Sequence, residues 1–444
     1  MDIKEILDLL NKPAETIIGN LKEKSITVPA WGILKKEYDP KEHPVMDKVK
    51  YPDIIEADGT TTEVSRVTFD WQRLAAKRLT ELCFGVPPKR VYKIKEGDTL
   101  AQEISDVLEA IFERVRINSV NIERGHMLFA SCEVMTLWYA VKEKNTYYGI
   151  ESDYKLRCSS YAPMKGDELY PLFDEEGDLI ALSVQYTRKE GSESVTYFDT
   201  YSNERHIKWK QEKDWVVVQD EPIKIKKIPA IYLHRDSPAW EDLSNLVYER
   251  EWAMSRNGNY LRENSRPLFV VTGDEEIPFG NEPKPNTGDG KNILKYPQGT
   301  TAGYVTWNQS IDSLKFHITE LKEAFFAQLQ LPDWSFERMR AMPMSGESMK
   351  QMYIDAILKV TDESGRLIEA LDREVSVVKA FLKEIKPEWS DAIDALRVNN
   401  VITPCTVDEN TDDTDERSGE MINGKQQLST SQETPRIGFN VNPQ

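Results

Sequence analysis

The chain has 444 residues, of which 39% are hydrophobic and 30% charged, and its formal net charge is −18. This length suits about two to four domains of ordinary size. The acidic balance argues against tight DNA binding, because affinity for phosphates comes from lysines and arginines that release counterions. DNA that passes such a surface without adhering remains compatible with the charge, as does an acidic surface that serves solubility alone.

The four cysteines are not arranged as a zinc site or a CxxC pair, and they are predicted to be free, buried thiols in a reducing cytoplasm. They are Cys83, Cys132, Cys158 and Cys405. The acidic start MDIKEILDLL lacks the basic and apolar parts of a signal peptide. No apolar run approaches the ~18 residues that a membrane span needs, so no membrane partner is expected.

The first part of the chain is predicted to be mainly helical. Residues 1–25 have the pattern of a short amphipathic helix, whereas 26–65 are rich in proline, aspartate and threonine and predict irregular chain with short strands. A helix then begins near Val67 and ends at Gly85, before two prolines. Two more helices are predicted at 100–116 and 119–130.

The next part is predicted to be antiparallel β structure. A strand-like segment covers 132–141, and residues 145–235 contain aromatic and β-branched runs separated by turn signals. The last strand is predicted at 228–233. The segment Lys224–Lys227 reads Lys-Ile-Lys-Lys. Its alternation of charged and apolar residues predicts an edge strand rather than a DNA-binding patch.

Helical spacing resumes at 239–264, where Gly258 is expected to weaken the helix by about 1 kcal/mol. A block at 266–306 follows, with a strand at Leu268–Val271 and a loop rich in glycine, proline and asparagine. The remaining predictions are a helix at 310–329, a break at 331–347, a long helix at 348–384 that Gly365 could kink, a short helical piece up to Arg397, and a disordered acidic tail from 407.

Motifs of enzymatic chemistry are missing from the sequence. No GxxxxGK[ST], HExxH, GxSxG or GxGxxG pattern occurs, and the five histidines are scattered. The sequence therefore predicts no catalytic residue, no cofactor and no metal site.

The break at 331–347 holds the most distinctive side chains. Two arginines, Arg338 and Arg340, stand among Met339, Met342 and Met344. Flexible apolar side chains with two cations suit contact with a ligand of changing shape. A linker that packs on its own domain is an equally good interpretation of the same residues.

The order of these elements resembles the core of tailed-phage portal proteins, particularly the SPP1-type group. Asn264–Gly273 resembles the exit from a first stem helix into the clip, and Pro343–Met349 resembles the Ser-Gly step into the family's long helix. Leu79–Pro87 resembles a helix that ends in Gly-x-Pro before a strand, and Tyr170–Gly177 resembles the wing strands. The likeness spans roughly residues 60–385.

The resemblance implies an α+β portal fold with an α/β wing, a two-helix stem, a small β-containing clip, a long kinked helix after a tunnel loop, and a short crown. It places the parts as follows: wing 1–237, first stem helix 238–265, clip 266–308, second stem helix 309–330, tunnel loop 331–347, long wing helix 348–386, crown 387–406 and acidic tail 407–444.

The function implied by the resemblance is a homo-oligomeric ring, usually twelvefold, at one capsid vertex of the virion, assembled in the host bacterial cytoplasm. Double-stranded DNA would pass through it non-specifically, driven by the terminase large subunit. Head-completion or adaptor proteins, major capsid protein and scaffolding protein would be further partners. The alternatives are another virion structural protein, such as a neck or baseplate component, and a nucleic-acid-processing enzyme with an unrecognised site.

The resemblance also implies roles for particular residues. The tunnel-loop residues that would face DNA are Arg338, Met339, Arg340, Met342 and Met344. The polar stem positions are Lys315, Glu320, Lys322 and Glu323. The clip positions that would meet terminase or adaptor are Asp274, Glu275, Glu276, Lys284 and Lys291.

Overall fold

In the computed structural model of the chain, the described residues are 13–55, 59–264, 268–272, 301–305, 311–331, 333 and 353–405. The helices are α1 (Ala14–Glu23), α2 (Trp31–Tyr38), α3 (Trp71–Phe84), α4 (Thr99–Arg114), α5 (Ile117–Ser131), α6 (Ser244–Asn264), α7 (Ile311–Leu329), α8 (Ile354–Ile385) and α9 (Ser390–Ala395). Short 3₁₀ turns lie at Pro40–Glu42, Pro44–Met46, Pro163–Lys165 and Pro387–Trp389.

The strands alternate with these helices in a mixed, α+β arrangement, which confirms the predicted fold class. They are β1 (Ile54–Ile55), β2 (Thr61–Thr62), β3 (Lys89–Lys93), β4 (Glu133–Asn145), β5 (Ser152–Tyr161), β6 (Glu168–Phe173), β7 (Leu179–Glu190), β8 (Glu193–Ser202), β9 (Arg205–Gln211), β10 (Trp215–Pro222), β11 (Ala230–His234), β12 (Leu268–Thr272), β13 (Thr301–Val305) and β14 (Arg397–Val401).

The predicted β meander is an antiparallel five-stranded sheet in which β6 to β10 are neighbours in chain order. Its two faces are both covered. Helix α1 packs on one face through Ile17, Ile18 and Leu21. The other face packs against a three-stranded sheet of order β11-β4-β5. Because both faces are buried, β7 begins as a continuous run of buried residues rather than an alternating one.

The main hydrophobic core lies where α3, α4, α5 and α8 meet the buried face of β4. The helix α8 crosses this core, and its apolar stripe from Ala356 to Leu382 is buried. The first part of α6 and the last part of α7 also contribute to it, through Val247, Phe325 and Leu329. Helices α6 and α7 also contact each other.

Several local predictions were wrong, and each was overridden by contacts distant in sequence. Residues 31–38 form a helix in the stretch predicted to be irregular. The segment Lys224–Lys227 is a turn, with Lys226 at φ 51°, and not an edge strand. Residues 397–401 form strand β14, which pairs antiparallel with β3 about 300 residues earlier in the chain, so the predicted helical piece ends sooner than expected.

Gly258 does not interrupt α6, which is continuous from Ser244 to Asn264. A Cβ atom at this position would lie 2.5 Å from the Ser65 hydroxyl oxygen. The glycine therefore permits the close approach of another segment, and its expected cost to the helix stays a prediction.

The four cysteines are free, as predicted, although only Cys83 and Cys132 are fully buried, while Cys158 and Cys405 are half-buried. Burial raises the pKa of Cys83 to about 12. Among the described residues, no helix is long and apolar enough to cross a membrane.

Candidate functional site

The region that combines the predicted functional segments is the base of the α6–α7 pair, where both helices enter the main core next to the start of α8. An extended segment, residues 63–69 (the strap), runs along α6. Three side chains of α6 accept hydrogen bonds from alternate strap amides: Glu251 from Phe69 at 2.8 Å, Ser255 from Val67 at 2.8 Å and Asn259 from Ser65 at 2.6 Å.

The register of this hydrogen-bond ladder follows from backbone geometry. Four residues of an α-helix advance about 6.0 Å. Two residues of extended chain advance about 6.6 Å. Polar side chains at every fourth helix position therefore meet every second strap amide. Three backbone donors of the strap are satisfied without entering a sheet, and the middle of α6 is fixed to the strap.

A buried ion pair stands at the inner end of the ladder. His43 and Glu251 are both inaccessible to solvent, and His43 Nδ1 lies 2.7 Å from Glu251 Oε1. The other ring nitrogen lies 2.8 Å from the Glu37 carbonyl oxygen, which can only accept a hydrogen bond, so Nε2 carries a proton. Burial lowers the pKa of His43, but the hydrogen bond and the charge of Glu251 outweigh it, and the pKa is raised overall.

Aromatic side chains fill the space beside this pair. The ring of Trp71, the first residue of α3, lies 5.0 Å from Phe325 and 5.8 Å from Phe326, both near the end of α7. The Arg250 guanidinium lies over Trp71 at 4.5 Å and over Phe69 at 4.7 Å. The bases of α6 and α7 thus contact α3 through tilted aromatic rings and a cation–π contact.

The two ends of the segment between α7 and α8 are joined by a hydrogen bond. Lys359 Nζ, in the second turn of α8, donates to the Leu329 carbonyl oxygen at 2.7 Å. Lys322 forms an ion pair with Asp333 at 2.6 Å, and Leu331 is buried. A cation at the C-terminus of α7 satisfies a free carbonyl and interacts favourably with the helix dipole. The last residues of α7 and the second turn of α8 are therefore joined at one base.

The start of α8 is connected to the rest of the body by charged side chains. Arg235 pairs with Glu363 at 2.6 Å, and Arg366 donates to the His234 carbonyl oxygen at 3.0 Å. Both contacts join α8 to the end of β11 and the residue after it.

Deeper in the core, Arg124 of α5 donates two hydrogen bonds of 3.0 Å to the carboxylate of Glu374. The indole Nε1 of Trp138 donates a third to the same carboxylate, at 3.0 Å. Both charged side chains are only 2% exposed. This network joins α5, β4 and α8, and its bidentate geometry fixes the orientation of the long helix.

Away from the base, the same elements expose large apolar side chains. Phe316 of α7 is 67% exposed, and Leu261 of α6 and Ile311 of α7 are each 57% exposed. At the start of α8, Ile354 and Leu358 are exposed by 51% and 59%. Apolar groups concentrated on elements that project from the core suit coverage by another protein surface.

The predicted stem residues lie on α7. Lys315, Glu320 and Glu323 are exposed. Lys322 is half-buried in its ion pair with Asp333, and its Nζ lies 6.0 Å from the ring of Phe326. Three of the four are thus accessible, and their assignment to a channel surface stays a prediction.

The other predicted site residues lie outside the described residues. These are the tunnel-loop positions Arg338, Met339, Arg340, Met342 and Met344, and the clip positions Asp274, Glu275, Glu276, Lys284 and Lys291. Of the clip, the structure describes strands β12 and β13, which pair antiparallel as expected for a small β block.

The polar ladder was not predicted. Its signal was present in the sequence, because Val247, Glu251, Ser255 and Asn259 form one row of every fourth residue on α6. Polar groups that continue a row begun by a buried valine indicate a buried polar face. The partner strap, however, lies almost 200 residues earlier, and the sequence did not identify it.

The described residues contain no group of three or more histidine, cysteine, aspartate or glutamate side chains placed to hold a metal ion. The contacts of this region have a structural role. They hold two projecting helices in place, and they hold the two ends of the segment that joins α7 to α8.

The model of the family described as phage portal protein, SPP1 Gp6-like, matches residues 32–405. The chain therefore belongs to the SPP1 Gp6-like family of phage portal proteins, which confirms the resemblance seen in the order of elements. It is a phage portal protein and a structural component of the virion.

Two solved structures have similar chains. One, described as the neck of an empty gene transfer agent particle computed with sixfold symmetry, has 10% sequence identity and a TM-score of 0.38, and the match covers 89% of this chain and 92% of that chain. The other, the virion of a native gene transfer agent particle, has 10% identity and a TM-score of 0.37, with 89% and 95% covered. No curated protein matches the chain. The family assignment rests on the family model.

Proposed function

We propose that this portal protein forms a closed homo-oligomeric ring, twelvefold as is usual in the family, through which double-stranded DNA enters and leaves the capsid. Membership of the portal family over residues 32–405 is the observation that carries the proposal. The α6–α7 pair is the stem (238–265 and 309–330), the β12–β13 block belongs to the clip (266–308), residues 331–347 are the tunnel loop, and 387–406 form the short crown.

The exposed apolar side chains support this arrangement. Leu261, Ile311 and Phe316 project from the helix pair, and the described part of the chain leaves them uncovered. In a ring, one surface of each subunit packs against a different surface of the next subunit. Every contact surface is therefore covered, and none remains exposed to solvent. A stem between two neighbours would bury these residues.

The charge supports passage of DNA rather than its capture. A net charge of −18 per chain repels the duplex, so only a few cations near the path are needed to guide it by phosphate contact. Arg338 and Arg340 have this role in our proposal, on a loop whose ends are joined through Lys359 and Leu329. Terminase and the adaptor proteins would dock at the clip, and capsid and scaffolding proteins on the wing.

Electron microscopy of the purified full-length protein tests the ring. We expect particles with a central channel and rotational symmetry. Monomers, or assemblies without a channel, would contradict the proposal and favour another virion component, and metal-dependent DNA cleavage would favour an enzyme.

Charge reversal tests the tunnel loop. Arg338→Glu with Arg340→Glu should leave the ring intact, because our proposal assigns the contacts between subunits to the apolar side chains of the stem, but should impair DNA packaging. A matched control is Arg157→Glu with Lys144→Glu, which reverses two exposed charges on the small sheet. Normal packaging by the loop variant would remove these arginines from the mechanism.

A further inference from the structure

The lysine pocket, defined as the cavity between the turn at 224–227 and the C-terminal part of α8, is unusual in this acidic chain. It has a volume of about 430 Å³ and is lined by five lysines, Lys224, Lys226, Lys227, Lys379 and Lys383. Two carboxylates, of Glu384 and Asp394, also line it, so the pocket carries a net charge of about +3 (five minus two).

The lysines are only partly neutralised within the described residues. Lys383 pairs with Asp394, whereas Lys379 donates to the Leu396 carbonyl oxygen at 2.6 Å and Lys227 to the Ser376 hydroxyl at 2.6 Å. No carboxylate of the described residues forms an ion pair with Lys224 or Lys226. Like charges this close together are unfavourable unless an anion binds among them.

The titration of Lys379 agrees with an excess of positive charge. Burial lowers its pKa, and although Asp394 opposes this shift, the charges of Lys383 and Lys227 add to it. A bound anion would reverse that effect.

The chain itself contains a complementary segment. Between residues 406 and 420 there are seven carboxylates and a single basic residue, Arg417. The described chain passes near the pocket before it reaches this segment. Lys379 of the pocket donates to the Leu396 carbonyl oxygen, β14 follows, and Cys405 then donates to the Leu82 carbonyl oxygen at 2.9 Å, at the end of α3.

The segment is long enough to return. From Leu396 to Cys405 the chain covers at most about 30 Å, whereas fifteen extended residues span about 50 Å. A second cavity, about 330 Å³ in volume, lies between α8 and β14 and shares Ser376 and Lys379 with the lysine pocket. The start of β14 therefore lies next to the lysine pocket, since the two cavities have these residues in common.

We propose that the acidic segment 406–420 docks in the lysine pocket of its own subunit by charge pairing. The docked segment covers the lysine side chains of the pocket and so prevents them from binding polyanions such as DNA. This inference does not depend on the formation of a ring.

Zero-length cross-linking of the full-length protein with a carbodiimide, read out by mass spectrometry, tests the docking. We expect amide links between lysines of the pocket and carboxylates of 408–416, and fewer of them at high salt. The ion pairs Lys165–Glu123 and Lys155–Glu143 provide internal positive controls. Control links without any link from the tail to the pocket would overturn the proposal.

A lysine variant provides a second test that does not require new contacts to be detected. Lys224, Lys226 and Lys227 are all exposed, so their replacement by serine should leave the fold intact. Cleavage after Arg417 by an arginine-specific protease should then become about tenfold faster at low salt. Serine at Lys142, Lys144 and Lys189, three exposed lysines on the sheets, is the charge-matched control. An unchanged cleavage rate in the pocket variant would overturn the proposal.

The competing occupant is DNA. If the full-length protein binds duplex DNA through the pocket lysines, with that binding lost in the pocket variant and no tail links formed, then DNA and not the tail occupies the pocket. If truncation after Thr406 instead raises the affinity for DNA, and a peptide of residues 406–420 reverses the gain, the docked tail is supported.

Discussion

The buried network around Glu374 allows a quantitative test of how α8 is held on the body. Arg124 and Glu374 are each 2% exposed, and Arg124 supplies two of the three hydrogen bonds to the carboxylate. In Arg124→Met the carboxylate keeps only the Trp138 donor. Removal of one member of a buried pair costs about 3–5 kcal/mol, because the remaining charge is left without compensation in a medium of low dielectric.

The second variant separates charge from packing. Arg124→Met with Glu374→Gln removes both charges, keeps the side-chain volumes similar and leaves an amide oxygen to accept from Trp138. We expect this pair to be only about 1 kcal/mol less stable than the wild type, since neutral replacements of buried ion pairs are often tolerated.

Urea unfolding followed by tryptophan fluorescence provides the free energies of unfolding. The slope of the free energy against urea concentration should be the same in every variant, which shows that each exposes the same surface on unfolding. Arg157→Met, at an exposed arginine, is the control and should change stability by less than about 0.5 kcal/mol. A cost below about 1 kcal/mol for Arg124→Met, or a double variant as unstable as the single one, would refute the reasoning.

Three further predictions concern other residues. Burial raises the pKa of Glu133 to about 7, so ionisation of this carboxyl destabilises the folded state as the pH rises above the pKa of an unfolded glutamate. Glu133→Gln should therefore increase the free energy of unfolding by about 2–3 kcal/mol at pH 8 and change it very little at pH 4. Glu251 raises the pKa of His43, so the charged imidazole stabilises the folded state fully below about pH 6.5. This stabilisation is lost as the pH rises through the pKa of His43 in the folded state. The wild type should therefore lose its advantage over His43→Gln as the pH rises above about 6.5, and a constant difference would contradict the charged pair. Phe316→Glu should reduce the fraction of assembled rings in mass photometry without lowering the unfolding temperature of the subunit, whereas the equally exposed control Ile55→Glu should assemble normally.

The sequence predicted the elements whose hydrophobic periodicity is local. Helix α7 was expected at 310–329 and is Ile311–Leu329, and the long helix expected at 348–384 is described from Ile354 to Ile385. The β meander and its antiparallel neighbours were also predicted, because short strands separated by turn signals pair with the next strand in the chain. These elements, in their order, were enough to indicate the portal family.

The elements that were missed depend on distant partners. Helix α2 is stabilised by Glu37, which accepts hydrogen bonds from Trp240 and Ser244, and β14 exists because β3 pairs with it. The exposed turn at 224–227 has the alternation of a strand but no neighbouring strand to pair with among the described residues. A local pattern has no information about such partners.

The sequence by itself therefore determined the class of protein, since periodicity and element order are properties of neighbouring residues. The tertiary structure decided how the projecting helices are fixed. The ladder on α6 requires the strap to lie alongside Glu251, Ser255 and Asn259. The hydrogen bond between the ends of α7 and α8 requires Lys359 to reach the Leu329 carbonyl oxygen. Hydrogen bonds act over about 3 Å, so only folding, which brings together residues 30 positions apart at the loop base and almost 200 positions apart in the ladder, creates these constraints.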